Sequence, residues 1–510
     1  MRGDDDRIVE RGASVALHDA PSRRSFLGGG AAIGAFAVLG RAAPALAEPQ
    51  IGDRAWRELS RKLSGRLLRP GDRGFLAAAL PSNLRYADRL PAGIARCRTP
   101  QDVATAILWC REHEVRLAPR GGGHNYGGYS TTKGLLIDTH GLDRIRFDEA
   151  SGRLTVGAGV KNRDVGAALA NRGVAIVHGR CKGVGVAGFL LGGGIGFDMR
   201  LHGIGSDLLL GTDIVLADGE LYRADANTNE DLFFACRGGA GGNFGINTSF
   251  VLDTFEVGSI TAFDITWTRQ QEEVLEALVA AMQQATRGFG VKLSLAAASR
   301  EQQRNGRDIR VNALGQLHGS RRELLEILAP ALRIAEPWKR RIEVLPYWEG
   351  QEIVSEEGPP EYFRERSRFV TKPFGHRAIE RACRFARRFP GTEGGASLKL
   401  FQTGAAVNDT PAGETAFAHR DSQWLMSMAV VWEEHEKRAD ILAANDWLDE
   451  YYEAMLPFCG EGAFQNFSDP SLTDWPQQYY GANLRRLRKI KTAVDPDELF
   501  RFRQSIRPLG

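Results

Sequence analysis

The chain is poor in cysteine, nearly neutral overall, and without a long uncharged hydrophobic run beyond its first fifty residues. Six cysteines, Cys97, Cys110, Cys181, Cys236, Cys383 and Cys459, are spread over 510 residues. None forms a CxxC pair, which argues against a zinc site, and the spacings single out no disulfide. Lysine and arginine number 66 against 63 acidic residues, a formal net charge of +3, so nothing points to a nucleic-acid binder. The basic run Arg485, Arg486, Arg488, Lys489, Lys491 reads as one solvated helix face. No internal segment supplies the roughly 20 apolar residues of a membrane span. With 43% hydrophobic and 25% charged residues, the balance is that of a globular chain long enough for two or three domains.

The N-terminus has a separate character. Ser22-Arg23-Arg24-Ser25-Phe26-Leu27 is a twin-arginine pattern, followed by an uncharged stretch from Gly28 to Gly40 and a small-residue site, Ala45-Leu46-Ala47. Residues 1–47 are therefore expected to be an export signal, which places the mature protein in the periplasm or outside the cell, with no membrane segment left.

Along the mature chain, Trp56 to Leu80 reads as a helical lead-in, and Thr99-Pro100-Gln101-Asp102 opens a helix to about Glu114. Val115 to Pro119, Leu135 to Asp138, Leu154 to Val156, Ala175 to Val177 and Asp213 to Leu216 are expected strands, with a hairpin turn at Asp218-Gly219. Short helices are expected from Asp164 to Asn171 and from Glu230 to Cys236, the second capped by Asn229. Beyond residue 258 the pattern changes. Helices are predicted from Gln270 to Thr286, from the capping box Ser320-Arg321-Arg322-Glu323 to Leu332, and from Arg438 to Leu456. Between them lie a hairpin around Asn305-Gly306, joining Lys292–Ala297 to Ile309–Leu314, and a strand from Ser422 to Trp432.

What the chain has in quantity is glycine, 59 residues, concentrated in three segments. The first is Arg120-Gly121-Gly122-Gly123-His124-Asn125-Tyr126-Gly127-Gly128. Consecutive glycines leave backbone N–H groups uncovered to cradle an anion such as a pyrophosphate. A lone histidine there would ordinarily be structural, and no second ligand stands at metal spacing. The second segment runs from Gly179-Arg180-Cys181 to Gly192-Gly193-Gly194, and within it Gly183 to Gly188 matches G-x-G-x-x-G. A dinucleotide-fold fingerprint must open a long helix; three further glycines follow directly on Leu190-Leu191, so that reading is rejected. The third is Arg237-Gly238-Gly239-Ala240-Gly241-Gly242-Asn243-Phe244-Gly245-Ile246. Three such loops between short strands imply a large ligand held mainly by backbone.

These segments resemble the FAD-linked oxidases of the berberine-bridge-enzyme type, within the wider vanillyl-alcohol-oxidase superfamily. The C-terminal residues Phe464-Gln465-Asn466-Phe467, Tyr479-Tyr480-Gly481-Ala482-Asn483, Lys491, Asp495-Pro496, Phe500 and Gln504-Ser505-Ile506 are similar to the family's C-terminal signature. The resemblance covers nearly the whole mature chain. It implies an α+β fold: a PCMH-type FAD-binding domain of two α+β subdomains over 54–257, a substrate domain over 258–458 with an antiparallel sheet covered by helices, and a segment over 459–510 returning to the FAD domain. It implies FAD bonded covalently through His124 at the 8α-methyl and through Cys181 at C6. Arg120, Gly121, Gly122, Gly123, Asn125, Gly127, Gly185, Gly188, Gly192, Gly193, Asn243, Gly245, Ile246, Tyr480 and Asn483 would complete the cofactor's surroundings. No metal is expected. A twin-arginine route, which carries folded proteins, suits a chain that takes up its cofactor before export.

The chemistry so implied is hydride transfer from a hydroxyl-bearing carbon to flavin, with O2 reduced to H2O2. Tyr479 would stand at the family's base position, and Tyr126 is a second candidate; a tyrosine with its usual pKa near 10 needs activation for that role. Some relatives carry a glutamate on a substrate-domain strand, but Trp424-Leu425-Met426-Ser427-Met428 offers no acid, and Ser427 stands near that place. Ile195 stands where some relatives have a tyrosine, and Val184 resembles the small gate residue of members that react with oxygen. The expected substrate is an alcohol, a saccharide or a secondary-metabolite hydroxyl. Oxidative C–C ring closure is the alternative chemistry, and a secreted flavin-binding protein with little turnover is the non-enzymatic one.

Overall fold

Thr99 begins the first long helix as its residues dictate: its hydroxyl accepts the Asp102 N–H at 3.1 Å, Pro100 sits in the first turn, and the helix spans Pro100–Glu112. The structure, a computed structural model, describes residues 51–509. The twin-arginine segment and its cleavage site lie outside them. Strands β1 (Arg66–Leu68), β2 (Gly93–Arg96), β3 (Leu117–Arg120) and β4 (Leu135–Asp138) form one sheet in the order β1-β2-β4-β3, with β4 parallel to both its neighbours. The lead-in is not one helix. Helix Asp53–Lys62 ends before Gly65, where a Cβ would collide with the Arg96 carbonyl, and Gly74 adopts φ +87° before a short turn of helix at Phe75–Ala79.

A second sheet, in the order β5-β6-β10-β8-β9, is antiparallel throughout and contains β5 (Ile145–Asp148), β6 (Arg153–Gly157), β8 (Leu209–Val215), β9 (Leu221–Asp225) and β10 (Ile246–Leu252). Strand β7 (Val174–Ala175), between β6 and β8 in sequence, pairs with β11 (Phe255–Glu256), which follows β10. The first glycine segment leaves the end of β3, the second follows β7, and the third runs into β10. Helix Glu230–Cys236 has its predicted bounds, but Asn229 gives no side-chain cap; at φ 51° its amide donates instead to the Arg223 carbonyl, 2.7 Å away.

The third sheet has seven antiparallel strands in the order β15-β12-β14-β13-β17-β18-β16. These are β12 (Ser259–Trp267), β13 (Phe289–Ala297), β14 (Arg310–Leu317), β15 (Lys339–Pro346), β16 (Tyr362–Val370), β17 (Ala396–Gln402) and β18 (Trp424–Trp432). The expected hairpin is β13–β14, with a turn of helix at Arg300–Arg304 before Asn305. Alternate residues such as Leu293, Leu295, Leu398, Leu400, Met426 and Met428 bury against helices Gln271–Gln283, Arg321–Ile334, His376–Arg387 and Arg438–Met455. Each fully buried side chain of that size contributes about 1.5–3 kcal/mol. The opposite face carries Lys292, Lys399, Phe401, Ser427 and Glu365, and it looks toward the glycine loops. This is the α+β architecture that the resemblance implied.

The C-terminal segment then packs back. Lys491, read above as part of a solvated face, is fully buried: its ammonium donates to the Asn243 carbonyl at 2.6 Å and the Phe500 carbonyl at 2.8 Å and pairs with Asp495. The period of helix Leu484–Val494 turns Lys491 inward with Leu487 and Ile490, while Arg485, Arg486 and Lys489 stay exposed.

Candidate active site

The three glycine segments converge on one open-mouthed cavity. Two of the loops touch backbone to backbone. A Cβ on Gly122 would lie 2.8 Å from Gly185 Cα, and one on Gly185 would lie 2.9 Å from Gly122 Cα, so both positions require glycine. The C-terminal stretch braces all three loops. Gln465 donates to the Gly238 carbonyl at 2.7 Å, Asn466 donates to the Phe189 carbonyl at 3.1 Å, and the Ser468 hydroxyl accepts the Gly127 N–H at 3.1 Å. Sequence proximity brings none of these together.

His124 and Cys181 both line this cavity and are both half-buried. The Ser82 hydroxyl is 3.1 Å from His124 Nδ1 and sets the plane of the ring. Burial holds this imidazole below its ordinary pKa, with Glu365 opposing and Lys161 assisting. Asn162 donates to the Cys181 carbonyl at 3.0 Å and anchors that turn. A strap from Ser355 to Glu361 joins the two sides of the cavity. At one end Glu356 pairs with Arg180 and with buried Lys292; at the other, Glu361 exchanges backbone hydrogen bonds with Ser82 and Leu84. Arg120, on the end of β3, donates to the Ser130 carbonyl at 2.9 Å and to the Ala78 carbonyl at 2.6 Å, and burial lowers its pKa to about 10.

Residues 91–225 match the model described as an FAD binding domain, and residues 463–507 match that described as berberine and berberine like. An FAD-linked oxidoreductase of Bacillus subtilis is 31% identical over 457 residues, covering 88% of this chain and 98% of that protein. The chain belongs to the berberine-bridge-enzyme-like FAD-linked oxidoreductases. Glucooligosaccharide oxidase of Sarocladium strictum is 28% identical, covering 84% of this chain and 89% of that one. The solved structure of BBE-like 1 from Physcomitrella patens superposes with a TM-score of 0.79 at 25% identity, covering 89% of this chain and 99% of that one.

FAD fits the cavity of this oxidoreductase. Four lining side chains, Arg120 Nη2, Tyr129 Oη, Ser130 Oγ and Gln465 Oε1, hold a buried polar atom with no partner among the described protein groups. A ligand rich in phosphate, hydroxyl and ring heteroatoms supplies what they lack. Arg120, Gly121, Gly122, Gly123, Asn125, Gly185, Gly188, Gly245, Ile246 and Tyr480 also line the cavity. Gly127, Gly192, Gly193, Asn243 and Asn483, expected at the cofactor, do not line it. Gly192 lies against the Asn466 side chain and Gly193 turns at φ +109° beside Phe417. Asn243 holds the Gly239 carbonyl at 2.9 Å and accepts the Ile506 N–H at 2.8 Å, while Asn483 donates to the carbonyls of Ala412 and Thr415.

The two tyrosines differ in their surroundings. Tyr479 is in the wall, but its hydroxyl accepts the Asp469 N–H at 2.9 Å and points to Gln504, 3.5 Å away. Tyr126 stacks flat on Phe467, 4.9 Å between ring centres, and meets the edge of Phe363 at the same distance. Burial, and then the charge of Glu365, push its phenol far above the ordinary value. Glu365 is a buried carboxylate near the site that the sequence reading did not single out. It lies on β16, two residues from Phe363 and so on the same face, is 6% exposed, accepts a hydrogen bond from Ser427 and pairs with Lys399 at 3.3 Å. Strand β18 carries no acid near Ser427, but the neighbouring strand supplies one. The signal available was alternation in Tyr362-Phe363-Arg364-Glu365, too short to assign a face without the register.

Proposed function

We propose that the protein is an exported oxidase that removes hydride from a hydroxyl-bearing carbon of a saccharide or related alcohol, with FAD tethered through His124 and Cys181. The carrying observation is that these two side chains, from different glycine loops, line one cavity, and that a buried carboxylate, Glu365, acts electrostatically on two of the lining residues, His124 and Tyr126. When bound, FAD supplies the hydride acceptor. The bare amides of the loops hold its polar atoms, and two tethers prevent its loss after export along the twin-arginine route. On this reading residues 54–257 with 459–510 form the cofactor domain and 258–458 the substrate domain.

Oxidation of a CH–OH group releases a hydride and the hydroxyl proton. On this reading Glu365 takes that proton, since Tyr126, held protonated by burial and by the Glu365 charge, donates a hydrogen bond more readily than it accepts a proton. Lys399 and Ser427 fix the carboxylate's position. Dioxygen then collects the two electrons and two protons as H2O2. Similarity to glucooligosaccharide oxidase supports a saccharide substrate. The test is direct: flavin colour stays with the acid-precipitated polypeptide, His124→Ala and Cys181→Ala each leave a single tether, and a saccharide and alcohol panel yields peroxide. Colour that washes out of the precipitate refutes the tethers, and a panel without peroxide refutes the oxidase.

A further inference from the structure

Three residues before Cys181, a buried polar network crosses from the cofactor loops to the seven-stranded sheet. His178 Nδ1 lies 3.1 Å from the Gly179 carbonyl, and its Nε2 lies 3.1 Å from Tyr347 Oη. The Tyr347 hydroxyl reaches Asp198 Oδ2 at 2.5 Å. Asp198 Oδ1 receives Gln316 Nε2 and His318 Nε2, each at 2.7 Å, and Gln351 donates to the Gln316 carbonyl oxygen at 2.6 Å. Asp198 is 3% exposed and Tyr347 2%, so water does not complete these bonds.

Counting hydrogens decides what the network needs. Three contacts run in series: Gly179 carbonyl to imidazole, imidazole to phenol, phenol to carboxylate. Each requires one hydrogen, and neither the carbonyl nor a carboxylate supplies any. A neutral histidine and a tyrosine together bring two. The third must be an added proton, and Asp198, already receiving two donors on its other oxygen, is the poorer place for it. That leaves the imidazole, doubly protonated and linked to its counter-charge through Tyr347.

We propose that His178 is a positioning residue: while its ring carries two protons it pins the Gly179 carbonyl, and with it the cavity wall that leads into Arg180 and Cys181. When one proton leaves, Tyr347 keeps its hydrogen on the Asp198 carboxylate, so one of the two imidazole contacts is lost: loss at Gly179 frees the cavity wall directly, and loss at Tyr347 frees the ring that holds it. The groups facing His178 are Asp198 and Tyr347, with the Trp348 ring stacked 5.1 Å away on the strap side; His318 and His202 act on it through Asp198. Burial depresses the His178 pKa, with Asp198 opposing, so the pinned form belongs to acid pH, below the ordinary histidine value of about 6.5.

The inference rests on FAD in this cavity but not on the proposed substrate. The experiment follows the visible circular dichroism of the flavin in the holoenzyme from pH 8 to pH 4, beside histidine-selective NMR of the same protein. The expected result is one titration with a midpoint below pH about 6.5, shared by the flavin signal and the His178 resonance, and lost in both His178→Gln and Tyr347→Phe. Should one variant not fold, the other and the NMR titration decide. A His178 ring that stays neutral across the range, a flavin signal that does not titrate, or a titration that survives in either variant overturns the proposal.

Discussion

Replacing Gly185 by alanine tests whether backbone contact between two loops sets the geometry of the flavin site. The added Cβ would lie 2.9 Å from Gly122 Cα and nearer still to the Gly122 amide nitrogen, where ordinary contact begins at 3.4 Å. Neither neighbour is a side-chain tip that can swing aside. The loops carrying His124 and Cys181 must therefore part by about 1 Å. Overpacking of this kind costs about 1–3 kcal/mol of stability, and a misplacement of about 1 Å costs on the order of 10²-fold in rate, or about 2.7 kcal/mol of barrier. The expected outcome for Gly185→Ala is a folded protein in which part of the flavin washes out of the denatured chain and the single-turnover rate of flavin reduction falls by about 10². Gly258→Ala is the control, because its Cβ meets nothing within 4 Å. Full covalent occupancy and an unchanged rate in Gly185→Ala, matching the control, would refute the argument that contact of these two loops places the attachment residues.

Three further substitutions have definite expected outcomes. Glu365→Gln should lower flavin reduction by about 10²–10⁴-fold, the usual worth of a positioned proton acceptor, whereas Tyr479→Phe, whose hydroxyl is already engaged by Asp469 and Gln504, should leave the rate within a few-fold; stopped-flow reduction of both variants separates the two carriers of the proton. Lys491→Met removes one member of a fully buried pair and should destabilise the protein by about 3–5 kcal/mol in urea unfolding, a loss that a solvated helix face would not show.

Much of the site was legible because glycine clusters and cap residues act locally. Thr99 before Pro100, Ser320 before Glu323, and the absence of a long helix after Gly185 all follow from backbone sterics and hydrogen bonding within a few residues. The readings that failed needed a partner outside the helix concerned or on its buried side. Asn229 lost its cap role to the Arg223 carbonyl, and Lys491 is buried because Asn243, Asp495 and Phe500 surround it.

The residues alone determined that a large ligand meets bare backbone at three loops, and that a histidine and a cysteine stand among them, because glycine runs and their turn chemistry need no distant context. Only the tertiary structure decided which carboxylate is buried beside Ser427, within electrostatic reach of His124 and Tyr126. Glu365 reaches Ser427 because β16 pairs with β18 in one register, with Ser367 opposite Ser427. A slip of one residue would turn Glu365 to the other face of the sheet, and nothing within the strand's own nine residues sets that register.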